Sequence, residues 1–270
     1  YTGSAITPKI SITYNGMELT NIDDYAAAFS KNTEVGTATV TITAKSNGNY
    51  SGNIEKTFTI NPASLEKASV TINPVSAPYD GSEKDPKITV TIGSSEDGTL
   101  KTLVKGTEYT ITPSTNDFIS AGTIEYTIEG TGNYTDTAPL TTFTIEALPV
   151  TINTNLPPTA KDRDYDGTNE VELTDLQLIG VLPSDKADVK LETKALISGR
   201  DVGTYPTVDL IDPKLGGNKG PNYILSSVNG LLLKQPVTIS QKPAPDTPII
   251  GGKYVVSSIP ERYIFTLEVT

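Results

Sequence analysis

The chain repeats itself, and nothing else in it constrains the fold as strongly. Residues from Tyr1 read YTGSAITPKISIT and residues from Tyr79 read YDGSEKDPKITVT. Tyr1, Gly3, Ser4, Pro8, Lys9 and Ile10 therefore stand opposite Tyr79, Gly81, Ser82, Pro86, Lys87 and Ile88. Further blocks follow in the same order. DDYAAAF (Tyr25) faces TEYTIT (Tyr109), and VGTATVTI (Gly36, Thr37) faces AGTIEYTI (Gly122, Thr123). NGNYSG (Asn49, Tyr50) faces TGNYTD (Asn133, Tyr134), and KTFTINP (Phe58, Ile60) faces TTFTIEA (Phe143, Ile145). A more divergent third copy opens with YDGTNEVEL at Tyr165, continues with DVGTYPTV (Gly203, Thr204) and GPNYIL (Asn222, Tyr223), and closes with PVTISQK (Val237, Ile239). The spacing of the starts, about 80 residues, is enough for a small domain per copy.

Within each copy the apolar residues alternate with the period of a strand. Ile10, Ile12 and Tyr14 share one face, as do Ala38, Val40, Ile42 and Ala44, and Ile124, Tyr126 and Ile128. Phe58 with Ile60, Phe143 with Ile145, and Val237 with Ile239 mark closing strands. Asn15-Gly16 and Asn229-Gly230 sit between alternating residues and predict hairpins. DYAAAF looks helical alone, but its counterpart EYTITP is β-branched, so it is assigned to a strand. Short helical turns are open at SLEKAS and PSDKADV. The later copies carry an extra strand before Tyr-Asp-Gly, SVTINP (Val70, Ile72) and PVTIN (Val150, Ile152). The first copy has none, so it is expected to lack its opening strand or to borrow a substitute.

The expected fold is all-β: three tandem Ig-like β-sandwich modules in an elongated array, with compact β-grasp-like modules as the alternative. The boundaries are residues 1–63 for the first repeat, missing its first strand, 64–147 for the second, and 148–242 for the third. Residues 243–270 form a proline-rich linker, PAPDTP, and a truncated strand segment alternating through Tyr263, Phe265, Leu267 and Val269.

Charge and composition exclude several classes of function. The net charge of −11 argues against a nucleic-acid partner, which needs a basic footprint. The chain has no His and no Cys, so a Ser-His-Asp triad, a thiol nucleophile and a thiolate metal site are all ruled out. No stretch approaches the roughly 20 apolar residues of a membrane helix. The chain does not begin with Met and is taken as a piece of a longer precursor. GGNKG at 216–220 lacks the spacing of a phosphate-binding loop. Paired carboxylates remain at Asp23-Asp24, Glu96-Asp97 and Asp162/Asp164/Asp166, all in expected turns.

The last group resembles a calcium loop, D-x-D-x-D-G, but its twelfth position is Leu173 where a bidentate Glu is needed. Only the Tyr-x-Gly part recurs in all three copies, which favours a turn. Whether Asp162, Asp164 and Asp166 bind calcium is left open. No catalytic, cofactor-binding or metal residue is assigned, and no cofactor is expected. Tyr50 and Tyr134 are expected to be structural anchors.

These blocks carry a resemblance. The third copy, with YDG, D-V-G-T, N-Y-x-L and V-T-I-x-x-K, resembles the YDG-type repeat of bacterial adhesins; the first two resemble related Ig-like or MBG-type surface repeats. The insertion IDPKLGGNKG departs from that pattern. The resemblance implies a non-catalytic adhesin or stalk region, extracellular on a bacterial cell surface, that presents or spaces a binding region. The implied partner is a host or microbial surface ligand, protein or glycan, with no nucleic acid, no membrane insertion and a monomeric chain. The alternative is a carbohydrate-binding module array of a surface glycan-utilisation protein.

Overall fold

The computed structural model describes residues 1–19, 24–93, 99–226 and 230–242. Asp23, Glu96, Asp97, Asn229, the PAPDTP linker and the alternating tail lie outside the described residues. The described chain is all-β, and its single helical element is a 3₁₀ turn at Gly220–Asn222. It forms two compact units, Tyr1–Leu148 and Pro149–Thr270.

The first unit opens with β1 (Ile12–Tyr14), β2 (Met17–Leu19), β3 (Tyr25–Ser30), β4 (Gly36–Ala44) and β5 (Asn53–Ile60). β1 and β2 form the expected hairpin, with Tyr14 opposite Met17 and φ of 49° at Asn15 and 80° at Gly16. Positive φ at both central residues suits the twist of the flanking strands. β3, β4 and β5 form an antiparallel sheet. The three alanines of β3 are good helix formers, yet they pair with Ile42 and its neighbours on β4. Pairing and the burial of Tyr25 outweigh a propensity worth only tenths of a kcal/mol per residue.

The same unit continues with β6 (Ala63–Ser64), β7 (Ser69–Asn73), β8 (Ser76–Pro78), β9 (Lys87–Gly93), β10 (Leu100–Thr102), β11 (Tyr109–Pro113), β12 (Gly122–Gly130), β13 (Tyr134–Thr135) and β14 (Thr141–Glu146). Two sheets, β10-β9-β7 and β11-β12-β14-β8, enclose one core. Val90 comes from the first sheet, Tyr109 and Ile128 from the second, Leu65 and Leu103 from connections, and Tyr134 from β13.

The second unit carries β15 (Leu148–Ile152), β16 (Thr159–Ala160), β17 (Arg163–Asp164), β18 (Glu170–Val171), β19 (Leu173–Thr174), β20 (Leu178–Ile179), β21 (Lys190–Ile197), β22 (Gly203–Gly216), β23 (Tyr223–Leu225) and β24 (Leu231–Ser240). A five-stranded sheet, β17-β24-β22-β21-β18, supplies most of the core through Ala195, Ile197, Val208, Leu210, Val237 and Ile239. The helical turns left open at SLEKAS and PSDKADV are hydrogen-bonded turns only. The insertion IDPKLGGNKG prolongs β22, whose ladder with β21 shifts register between Glu192 and Lys194. It then returns sharply at Gly217, where φ is +86° and a Cβ would lie 2.2 Å from the Asp188 carbonyl oxygen. Only glycine fits there.

The sequence repeat is a repeat of register. Gly36 pairs with Ile60, Gly122 with Ile145 and Gly203 with Ile239, and in each case the next pair is Thr with Thr. All three isoleucines are buried. A slip of one residue would turn each of them to the opposite face. The copies differ in how well the next inward-facing position, one pair beyond the threonines, is covered. Phe143 is 1% exposed, whereas its equivalent Phe58 is only half-buried. Phe143→Ala is expected to cost about 3–5 kcal/mol; Phe58→Ala should cost distinctly less, as measured by urea unfolding of the two variants.

Candidate functional site

The recurring Tyr-x-Gly element is a corner that ties the start of each copy to its end. The terminal amine of Tyr1 donates to the Asn61 carbonyl at 2.6 Å. The Tyr79 N–H donates to Glu146 O at 2.8 Å and the Tyr165 N–H to Ser240 O at 2.9 Å. In every copy the acceptor is the residue after the closing isoleucine. The strand just before the corner runs parallel to the closing strand, β8 beside β14 and β17 beside β24.

The residue after the tyrosine then folds the turn. Asp80 Oδ1 accepts the N–H and hydroxyl of Ser82 at 2.8 and 2.5 Å. Asp166 Oδ1 accepts both groups of Thr168 at 2.8 Å, and Thr2 Oγ1 accepts the Ser4 N–H at 3.3 Å. These are side-chain-to-backbone turns, with a positive-φ glycine at the next position: +86° at Gly3, +79° at Gly81 and +84° at Gly167. A cation closes two of them, Lys84 on Asp80 at 2.5 Å and Arg163 on Asp166 at 2.6 Å. Lys84 and then Ser82 hold the Asp80 carboxyl well below the usual range. The Thr168 backbone and hydroxyl, aided by Arg163, do the same for Asp166.

The three candidate calcium ligands serve separate partners. Asp162 Oδ1 accepts the Thr238 N–H at 2.7 Å, Asp164 pairs through its backbone with Ser240 on β24, and Asp166 caps its own turn. Among the described residues no three Asp, Glu, His or Cys side chains gather as a metal-binding set. Of the other paired carboxylates only Asp24 is described, and its carbonyl accepts the Lys45 N–H.

The G-N-Y blocks do different jobs in each copy. Tyr223 is buried; its hydroxyl donates to Asp185 Oδ2 at 2.7 Å and accepts the Leu182 N–H at 3.2 Å. Burial first, then the Asp185 carboxylate, raise that phenol to about 12. Tyr134 is buried and accepts from Lys101 Nζ at 3.0 Å. Tyr50 is half-buried and meets the exposed Tyr14 edge-on at 5.6 Å.

Sequence reasoning did not find the contacts between the first two copies. β6, at the junction of the two copies, pairs in parallel with β13. Asn133 Oδ1 accepts the Val35 N–H at 3.0 Å, and its amide donates to Glu34. Tyr1 meets Tyr134 edge-on at 5.5 Å, with the Lys101 ammonium 5.3 Å from the Tyr134 ring and 2.5 Å from Glu108. Burial works to raise Glu108, but the hydrogen bonds from Lys101 and the Val104 N–H prevail and hold it low; Glu108 and Tyr134 together raise Lys101. In the third copy, a groove of about 990 Å³ is lined by charges of both signs, among them Lys161, Arg163, Glu170, Glu172 and Lys194.

Comparison with known families meets this geometry in one place. Residues 147–230 match the family model described as the YDG domain. The chain thus carries a YDG-type module within an all-β fold. The match contains the Tyr165-Asp166-Gly167 corner and ends just before β24, the strand that corner is tied to. No curated protein and no solved structure matches the chain.

Two outcomes are expected. The Asp80 and Asp166 carboxyls should titrate below the ordinary value of about 3.9 when followed by carboxyl-carbon NMR. Their folded-state pKa is depressed, so their contribution to stability is present above the unfolded value and is lost as pH falls through the lower folded one. Titration at or above the ordinary value would show that the corner exerts no such pull. Asn133→Ala should lower the stability of the first copy by about 0.5–1.5 kcal/mol for the lost Val35 bond, read from hydrogen exchange in β3–β5, while Tyr223 and the second unit stay unaffected.

Proposed function

We propose that the chain is a non-catalytic stretch of a bacterial cell-surface adhesin or stalk, built of three tandem Ig-like modules that present or space a binding region. The observation that carries this reading is where the recurring residues go. Gly-Thr against Thr-Ile sets a ladder, Tyr-x-Gly makes a corner, and Phe143, Ile145 and Ile239 fill cores. What is copied is scaffold, and a chain that multiplies scaffold gains reach and number rather than chemistry. The absence of His and Cys from the sequence removes the usual nucleophile–base pairs. The YDG-type module supports the same direction. On this reading the chain acts outside the cell as a monomer, towards a protein or glycan on a host or microbial surface.

The carbohydrate-binding alternative has one observation in its favour. Tyr14, 55% exposed, stands beside Tyr50 and offers an aromatic edge to solvent. It predicts binding on a glycan array that Tyr14→Ala abolishes.

The test of the main reading is location on the producing cell. An antibody against residues 149–242 should label intact cells, and external protease should remove the label. Labelling that appears only after permeabilisation would sink the proposal.

A further inference from the structure

We infer that the first copy is a strand acceptor: the free edge of β1 and the apolar groove beside it take one extended Val-x-Ile segment, entering antiparallel and joined to Tyr1 as β7 is joined to Tyr79. The second copy supplies the template. There β9 has β10 on one side and β7 on the other, with Val70 opposite Val90 and Ile72 opposite Ile88. The sequence repeat places Ile12 where Val90 stands and Ile10 where Ile88 stands. In the first copy β1 has β2 on one side, and among the described residues no strand lies on the other.

The length of β1 records that vacancy. β10 reaches only Thr91–Gly93 of β9, so Lys87–Thr89 are held by β7 alone. Their equivalents, Lys9–Ser11, have dropped out of the ladder, and β1 spans only Ile12–Tyr14. The pairing lost is the pairing β7 would have made.

The core shows the same gap. In the second copy Leu65 and Ala68 are buried and Val70 packs against them; Val90 and Ile128 are completely covered. In the first copy the equivalents of those last two, Ile12 and Ile42, are only half-buried, and Ile54 is 50% exposed. A groove of about 440 Å³ runs past Ile10, Ile12, Phe29, Ile42, Ile54 and Phe58. Main-chain bonds to β1 would hold an added strand, and alternate side chains would fill the groove. The third copy fills the corresponding place with β15, whose Val150 and Ile152 are buried.

The connection is already in position. Tyr1 N sits on Asn61 O as Tyr79 N sits on Glu146 O. The Ile6 N–H bonds Asn32 O as the Lys84 N–H bonds Phe118 O. A donor joined to Tyr1 therefore meets the same exit geometry as β7, with its Val opposite Ile12 and its Ile opposite Ile10.

The experiment extends the whole chain ahead of Tyr1 with a copy of residues 63–78, which contains β7 and its connection. A second extension has the copied Val70 and Ile72 changed to Asn. Amide exchange is followed at residues 9–14 and in β4. The first extension should slow exchange there by about tenfold or more, and the Asn version should not. No slowing with the first extension overturns the inference. So does equal slowing with both, since the groove would then not be selecting apolar side chains. A free peptide of residues 63–78 that slows exchange where the extension does not, or protection in the unextended chain that disappears on dilution, would place the donor in another molecule and overturn the joined-strand proposal.

Discussion

The structure depends on one pairing made three times: a Gly-Thr start of a long strand laid against a Thr-Ile end of the closing strand. Because side chains alternate across a strand, fixing this register fixes which residues face inward for the whole length of β4, β12 and β22. The corner then locks the entry of the copy to the residue just past that isoleucine. Tyr79 on Glu146 and Tyr165 on Ser240 are backbone bonds, so the tie does not depend on how far the tyrosine ring is covered. Tyr79 is buried, whereas Tyr165 is 38% exposed. The conserved geometry belongs to the main chain, and the side chains adapt to whatever lies nearby.

The Tyr-Asp-Gly turn gives its carboxylate a structural task. A carboxylate after the tyrosine accepts two hydrogen bonds from a Ser or Thr two positions later and a charge from Lys84 or Arg163. Its Oδ1 is engaged locally, and its lowered pKa follows from those bonds. Thr2 makes the same turn without a charge, so the shape needs an oxygen acceptor and a positive-φ glycine rather than an ion.

Much of this was legible in the sequence, for stated reasons. Strands showed through Val, Ile and Phe alternation, the β1–β2 hairpin through Asn15-Gly16, and DYAAAF through its partner copy. The acidic cluster was legible as a turn because only Tyr-x-Gly recurs. Contacts without periodicity were hidden. β6 and β13 are two residues each, too short to leave a pattern, and Asn133 uses a repeated position for an unrepeated purpose. Lys101 and Glu108 meet only after folding. Tyr50 shared its motif with Tyr134 but not its burial: Tyr134 joins the core of the second copy, whereas Tyr50 is half-buried beside the exposed Tyr14. The extension of β22 through IDPKLG carried no alternation to announce it.

The parallel pairing of β8 with β14 and of β17 with β24 has a mechanical side. The strand that leads into each corner and the closing strand lie next to each other and point the same way. Tension applied through the two ends would slide one strand lengthwise past the other. Every bond between them would carry a share of the load at once, where a hairpin pulled open from its tips gives way one bond at a time. A few backbone contacts, no costlier to form than those of any other ladder, thereby become the part of the copy that resists being drawn apart.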